Sequence, residues 1–311
     1  MKYLLRILMI AIVVVVIVDI SASFYFYHVA IERTSKDFLK QSPAAANFAL
    51  AREPVKWKEE PDFEDLTLLS QDGLELHGYY LPAATLSKKT VIIAHGFAGK
   101  AHDMDAYAAF YHDQQGFNVL MTDARGHGQS TGDYIGYGWD ERRDYVEWIG
   151  LILQKVGADS EIVLHGGSMG AATVLMTSGE SLPPNVKAII SDSAYTSAEA
   201  ELTYALGRMY HLAKFPIVQS TSLLTKLRAG YFIGEASALK QVKKSKTPIL
   251  FIHGTGDLTV PLSMAYELYE ACESPKELYV VEGAKHGKSY YLVPVSYEKK
   301  ITEFLKAYVQ L

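Results

Sequence analysis

Three side chains far apart in the chain could together break an acyl bond. Ser168 stands in Gly166-Gly167-Ser168-Met169-Gly170, after a short apolar run at 161–164 and before a helical pattern over 169–178. A serine on a sharp strand-to-helix turn meets its substrate at a helix N-terminus, where amide N–H groups and the helix dipole favour a developing oxyanion. Glycine two residues to either side lets neighbouring backbone pass close to such a turn. The hydroxyl still needs a base. His286, in Gly283-Ala284-Lys285-His286-Gly287, is the candidate, and Asp257, in His253-Gly254-Thr255-Gly256-Asp257, is the candidate acid to hold the imidazole tautomer. Each follows an apolar run, at 278–281 and 248–252. A further loop, His95-Gly96-Phe97-Ala98-Gly99, follows the run at 90–94. Its Phe97 N–H, with the Met169 N–H, would make a two-donor oxyanion hole.

Other residues compete for these roles. Asp123 and Asp192 also follow apolar runs and are alternative acids, although Asp123 comes early in the chain order. His95 and His127 read as loop histidines bonded to backbone, because the base position is filled elsewhere. His102, Asp103 and Asp105 read as a helix N-cap with solvated charges rather than a metal site. Cys272 reads as a mid-helix thiol, packed or at the surface. The glycines around His127 and Ser168 do not give the G-x-G-x-x-G spacing of a dinucleotide fold.

Apolar runs of four to eight residues alternating with helical patterns imply a mostly parallel sheet with helices on both faces. Strands are expected at 63–70 and 74–81, as an antiparallel edge, then at 90–94, 117–122, 161–164, 186–190, 248–252 and 278–281. Helices are expected at 104–115, 139–156, 169–178, 263–272 and 297–309. Residues 196–246 break the alternation with helix-like sequence that includes Tyr204, Tyr210, Tyr231 and Phe232, and read as a small helical cap. In such sheets sites form beyond the C-terminal ends of the strands, which is where all the candidate residues fall.

The first 27 residues are a transmembrane anchor by length and flanks. Residues 7–18 are twelve consecutive apolar residues, and 4–24 supply the roughly 20 a span needs. Arg6 can snorkel, and Phe24 to Tyr27 form an interfacial aromatic belt. Asp19 would cost about 2.5–3.5 kcal/mol at the bilayer centre and much less near its edge. The small residues Ser21 and Ser23 also admit a cleaved signal and a secreted product. Lys2 and Arg6 place the N-terminus inside and the catalytic domain outside the cytoplasmic membrane, against Arg33, Lys36 and Lys40 beyond the other end. Residues 28–61 read as a juxtamembrane connector with a helix over 31–52, and 62–311 as the catalytic domain.

Composition narrows the function. The 311 residues are 49% hydrophobic and 21% charged with net charge −5, so the chain is globular and has no global pull on nucleic acid. One cysteine excludes an intrachain disulfide framework or a multi-cysteine metal site. The motifs at 95–97, 123–130, 166–170, 253–257 and 285–287 resemble, in series, those of α/β-hydrolase-fold serine hydrolases. The chain is similar in particular to bacterial membrane-anchored enzymes related to serine aminopeptidases and monoacylglycerol lipase-like enzymes. The resemblance covers about 62–311. It implies a structural turn at Asp123, and it departs at Gly167, where relatives more often carry a larger residue. The function expected is hydrolysis of small or amphiphilic acyl esters through an acyl-enzyme, with no cofactor and no metal. The alternatives are a peptidase or amidase on the same three residues, or a non-catalytic binding protein of this fold.

Overall fold

Branched apolar residues buried on both sides build the centre of a single sheet. The computed structural model describes residues 2–36, 57–58 and 61–310. The strands are β1 (Glu64–Leu69), β2 (Glu75–Leu81), β3 (Lys89–Ala94), β4 (Asn118–Thr122), β5 (Glu161–Gly167), β6 (Val186–Asp192), β7 (Ile249–Gly254) and β8 (Lys276–Val281). Their order across the sheet is β1-β2-β4-β3-β5-β6-β7-β8. β1 and β2 form an antiparallel hairpin, β2 pairs antiparallel with β4, and every later pair is parallel. β3 is buried from Thr90 to Ala94 and β4 throughout, as strands covered on both faces must be.

The strand pleat sends alternate residues to opposite layers. Val91, Ile93, Val119 and Met121 pack with Tyr107 and Phe110, near α2 (Asp105–Ala109), and with Ile301 and Phe304 of α10 (Pro294–Leu305). Ile92, Leu120 and Leu164 face the other way. They meet Trp148 and Ile152 of α3 (Glu141–Val156), Leu175 of α4 (Met169–Thr177) and Leu268 of α8 (Leu262–Ala271). The cap holds α5 (Ala198–Tyr210), α6 (Ile217–Ala229) and the short α7 (Ala238–Val242). Ser197 and Ser237 cap the first and last of these, each accepting an N–H three residues on.

The N-terminal helix α1 (Lys2–Phe26) continues through a π turn, Tyr27–Ile31, into the domain. Tyr27 is 5% exposed and Ile31 fully buried, both within the core that includes α3 and α4. The segment is knitted in by main-chain bonds: Arg33 N–H donates to Asp133 O, and Ile135 N–H to Ile31 O. The Arg33 guanidinium donates to the carbonyls of Gly128, Ser130 and Gly132. These bonds hold Glu32 extended and Arg33 in a bend, so the helix expected from residue 31 does not start there. Its remainder, beyond Lys36, lies outside the described residues.

Local chemistry accounts for other differences. α3 starts at Glu141 because that carboxylate accepts the N–H groups of Gly136 and Gly138 at 2.8 and 2.9 Å, which folds the preceding residues into a loop. Cys272 follows the end of α8 and is buried, its Sγ 3.2 Å from Ser274 Oγ. Asp103 is buried rather than solvated and accepts the Lys100 N–H. The one-turn α9 (Ser289–Leu292) leaves no mark in the sequence, since four residues are too few for an amphipathic period to show.

Candidate active site

β5 ends in the turn that carries Ser168. The serine adopts φ 55°, ψ −116°, a strained conformation for a non-glycine residue that costs on the order of 1–3 kcal/mol. Its N–H donates to Asp192 O of β6 at 2.8 Å, which pins the turn to the sheet. The flanking glycines are sterically required. A Cβ on Gly166 would lie 2.2 Å from Gly170 O, and one on Gly170 would lie 2.2 Å from Ala94 O.

The loops after β7 and β8 bring the other two residues to it. His286 Nε2 and Ser168 Oγ are 2.7 Å apart, and His286 Nδ1 and Asp257 Oδ2 are also 2.7 Å apart. All three residues are buried. Asp257 Oδ1 accepts the N–H groups of Thr259 and Val260, both at 2.9 Å. Burial pushes the Asp257 carboxyl up, but the charges and hydrogen bonds of His286 and His253 outweigh it and hold it well below the usual carboxylate range. An ionised Asp257 can only accept, so Nδ1 of His286 carries its proton and Nε2 is free to accept from the serine.

His253, at the end of β7, stands behind the acid. Its Nε2 lies 2.9 Å from Val260 O and 3.3 Å from Asp257 Oδ2, so it braces the acid from behind. Asp192, the alternative acid, accepts the hydroxyls of Tyr297 and Ser193, and the carboxylate bonded to His286 is Asp257. Asp123 ties a turn by accepting the N–H groups of Ala101 and Gln129.

The loop with Phe97 is held by His95, whose Nδ1–H donates to Gly96 O at 2.8 Å while Nε2 accepts the Ala124 N–H at 3.0 Å. Burial lowers the pKa of His95 and keeps it neutral, as this pattern requires. His127 donates to Arg125 O, and burial, then the adjacent His95, push its pKa down to about 3. Among the described residues the main-chain N–H groups of Phe97 and Met169 make no hydrogen bond. Phe97 shares the cleft with Ser168, and Met169 is the first residue of α4. His102 pairs with Asp105 at 3.0 Å, and no cluster of three metal-ligating side chains occurs among the described residues.

Ser168 opens into a cleft of about 930 Å³, counting its open mouth. Its walls are mainly apolar: Tyr137 and Tyr195 beneath, Leu202, Leu206 and Met209 of α5, Val218 of α6, and Val260. Of the aromatics singled out in the cap, Tyr210 lines it, while Tyr231 is core and donates its hydroxyl to Ile135 O. Glu201 is the unforeseen member. It lines the cleft, buried and with Oε2 unpartnered, and burial raises its pKa well above the ordinary value. Its position in the first turn of α5, beside the apolar 202 and 206, was the only signal available.

Residues 89–213 match the α/β-hydrolase fold family, and residues 164–287 the serine hydrolase family FSH1. YqkD of Bacillus subtilis is 34% identical over 233 residues, spanning 75% of this chain and 76% of that protein. The membrane protein YNL320W of Saccharomyces cerevisiae is 25% identical over 217 residues, 68% and 69% of the two chains. The Pyrococcus furiosus esterase Pf2001 superposes with a TM-score of 0.65 at 24% identity, over 84% of this chain and all of that one. Sheet order, turn and motif series agree with these matches, and the chain belongs to the α/β-hydrolase-fold serine hydrolases.

Proposed function

We propose that the chain is a membrane-anchored esterase that cleaves carboxylic esters of amphiphilic acyl substrates through an acyl-enzyme. The observation that carries this reading is the unbroken contact from Ser168 Oγ to His286 to Asp257 at the floor of an apolar cleft. His286 Nε2 takes the serine proton as Oγ attacks the ester carbonyl carbon. Asp257 steadies the imidazolium that forms. The Phe97 and Met169 amides receive the oxyanion, each such donor being worth about 10²–10³ in rate. The C–O bond breaks, and the alcohol leaves with the proton from His286. A water, deprotonated by the same nitrogen, then frees the acid and restores the serine.

The cleft favours an acyl ester over a peptide. Its lining is mostly hydrocarbon, and it holds a single carboxyl, Glu201, so no acidic pair awaits a peptide's amino terminus. The N-terminal helix is retained rather than cleaved: a cut near Ser23 would take away Asp19, the partner of Ser220 in the cap, and leave Phe26 of the cleft and Tyr27 of the core beside a new charged terminus. The name of the yeast relative agrees with this. The domain lies outside the cytoplasmic membrane, and protease treatment of intact cells should degrade it; complete protection would reverse that orientation.

The test uses the full chain in detergent micelles. It should take a fluorophosphonate label and hydrolyse p-nitrophenyl esters, and Ser168→Ala should lose the label and at least about 10⁴ of the rate while remaining folded. A wild-type protein that is inert in both assays would end the esterase reading.

A further inference from the structure

Phe26, Val29 and Ala30 close the N-terminal helix, and all three line the same cleft as Ser168. The continuation of the apolar helix beyond its spanning stretch is therefore also a wall of the substrate site. The cap is seated on that span. Ser220 of α6 donates to Asp19 Oδ2 at 2.5 Å, and Arg228 lies 5.3 Å from the rings of both Phe24 and Tyr27. On α5, Tyr210 packs edge-on against Phe26 with ring centroids 5.1 Å apart.

These contacts fix how deep the cap sits. A hydrocarbon core of about 30 Å takes about 20 helical residues, so a span beginning at Leu4 ends near Ser23. Asp19 then lies about 6 Å inside that edge, and Ser220 with it. The parallel register of α6 against α1 sets Leu223 level with the last turn of the span and Leu227 level with the aromatic belt. Both lie on the helical stripe of Ser220, yet Leu223 is 56% and Leu227 76% exposed, and Phe215, just before α6, is 76% exposed. In water three such side chains would be a liability; beside a span they are in their proper solvent.

We propose that the cap is sunk in the leaflet on the domain's side and that the cleft takes its acyl chain directly from that leaflet, along the wall made by Phe26, Val29 and Ala30. The substrate class is an ester-linked lipid resident in the bilayer, not a monomer drawn from solution. This rests on the esterase reading for the chemistry, but the seating of the cap does not.

Two measurements on the full chain in phosphatidylcholine–phosphatidylglycerol vesicles test it. First, an environment-sensitive fluorophore on Leu227→Cys, the native Cys272 being buried, should emit as in an apolar medium and be quenched by doxyl-labelled phosphatidylcholine. Water-like emission without quenching overturns the proposal. Second, the variant carrying Leu223→Asp and Leu227→Asp, neither of which lines the cleft, is assayed on methylumbelliferyl oleate dissolved in the vesicles and on methylumbelliferyl acetate in the water. The ratio of oleate to acetate turnover should fall at least about tenfold. A ratio unchanged from wild type overturns the proposal. Should the wild type cleave neither ester while the label is quenched, the esterase reading fails and the seating of the cap stands.

Discussion

Replacing Asp257 with asparagine separates the acid from its rival. The two carboxylate oxygens of Asp257 are used differently: Oδ1 takes two main-chain N–H groups at 2.9 Å and Oδ2 takes the His286 Nδ1–H at 2.7 Å. An amide offers one oxygen and one NH₂. Turning the NH₂ towards Thr259 and Val260 sets donors against donors, at about 1–3 kcal/mol for each group left unsatisfied. The oxygen therefore stays there and the NH₂ faces His286. The imidazole must then accept at Nδ1 and carry its proton on Nε2, where it cannot take the serine proton. The expected loss in kcat is about 10⁴-fold, or about 5.5 kcal/mol of transition-state stabilisation, with KM nearly unchanged. Steady-state hydrolysis of a p-nitrophenyl ester by the full chain in micelles measures it. Asp192→Asn is the comparison: its two oxygens each accept one hydroxyl, and in the amide the oxygen keeps one while the other hydroxyl can turn to accept from the NH₂, so its loss should be far smaller. An Asp257→Asn enzyme keeping more than about a tenth of wild-type activity, or an Asp192→Asn enzyme that falls further, would refute the assignment.

Glu141 makes stability depend on pH. Burial, only partly countered by Arg125, lifts its pKa from 4.5 to about 7. A carboxyl raised on folding gives stability that is complete below pH 4.5 and is lost as pH rises through about 7, amounting to about 3 kcal/mol. Glu141→Gln should lower stability at pH 4.5, where one of the Gly136 and Gly138 N–H groups loses its acceptor, yet flatten the decline towards pH 8; denaturant melts of both proteins with identical slopes would contradict this. Gly170→Ala drives a methyl to 2.2 Å from Ala94 O, so the Phe97 loop must move. That overpacking should cost upward of about 1–3 kcal/mol and abolish fluorophosphonate labelling, whereas Gly150→Ala, with nothing within 4 Å, should be neutral or stabilising in the same thermal melts.

Much of the site was legible in the sequence because its constraints are local. The Gly166–Ser168–Gly170 spacing follows from contacts within one turn, and each of Ser168, Asp257 and His286 follows a strand whose apolar run is hard to mistake. The strands themselves ended later than the runs suggested, since Gly166, Gly167 and Asp192 still pair in the ladder although none is apolar. What could not be read was anything that depends on the cap's pose. Glu201 and Glu199 sit two apart at the start of one helix; the first is buried in the cleft and the second is ion-paired with Lys214 near the surface. The division between them is made by how α5 lies over Ser168, a tertiary fact with no local signature. The same holds for Phe26, whose place in an aromatic belt was evident and whose place against the nucleophile's cleft was not.

The bonds that join Ile31 and Arg33 to the loop at 133–135 leave the hydrolase without a tether at this junction. A domain on a loose linker tumbles and samples many heights above a surface. With the helix anchored as proposed, the turn that follows the span is also part of the core, so Ser168 rides at one altitude and one tilt, like a blade fixed in a plane. Scissile bonds carried at that level are within reach, and those held nearer or farther are not, whatever their chemistry.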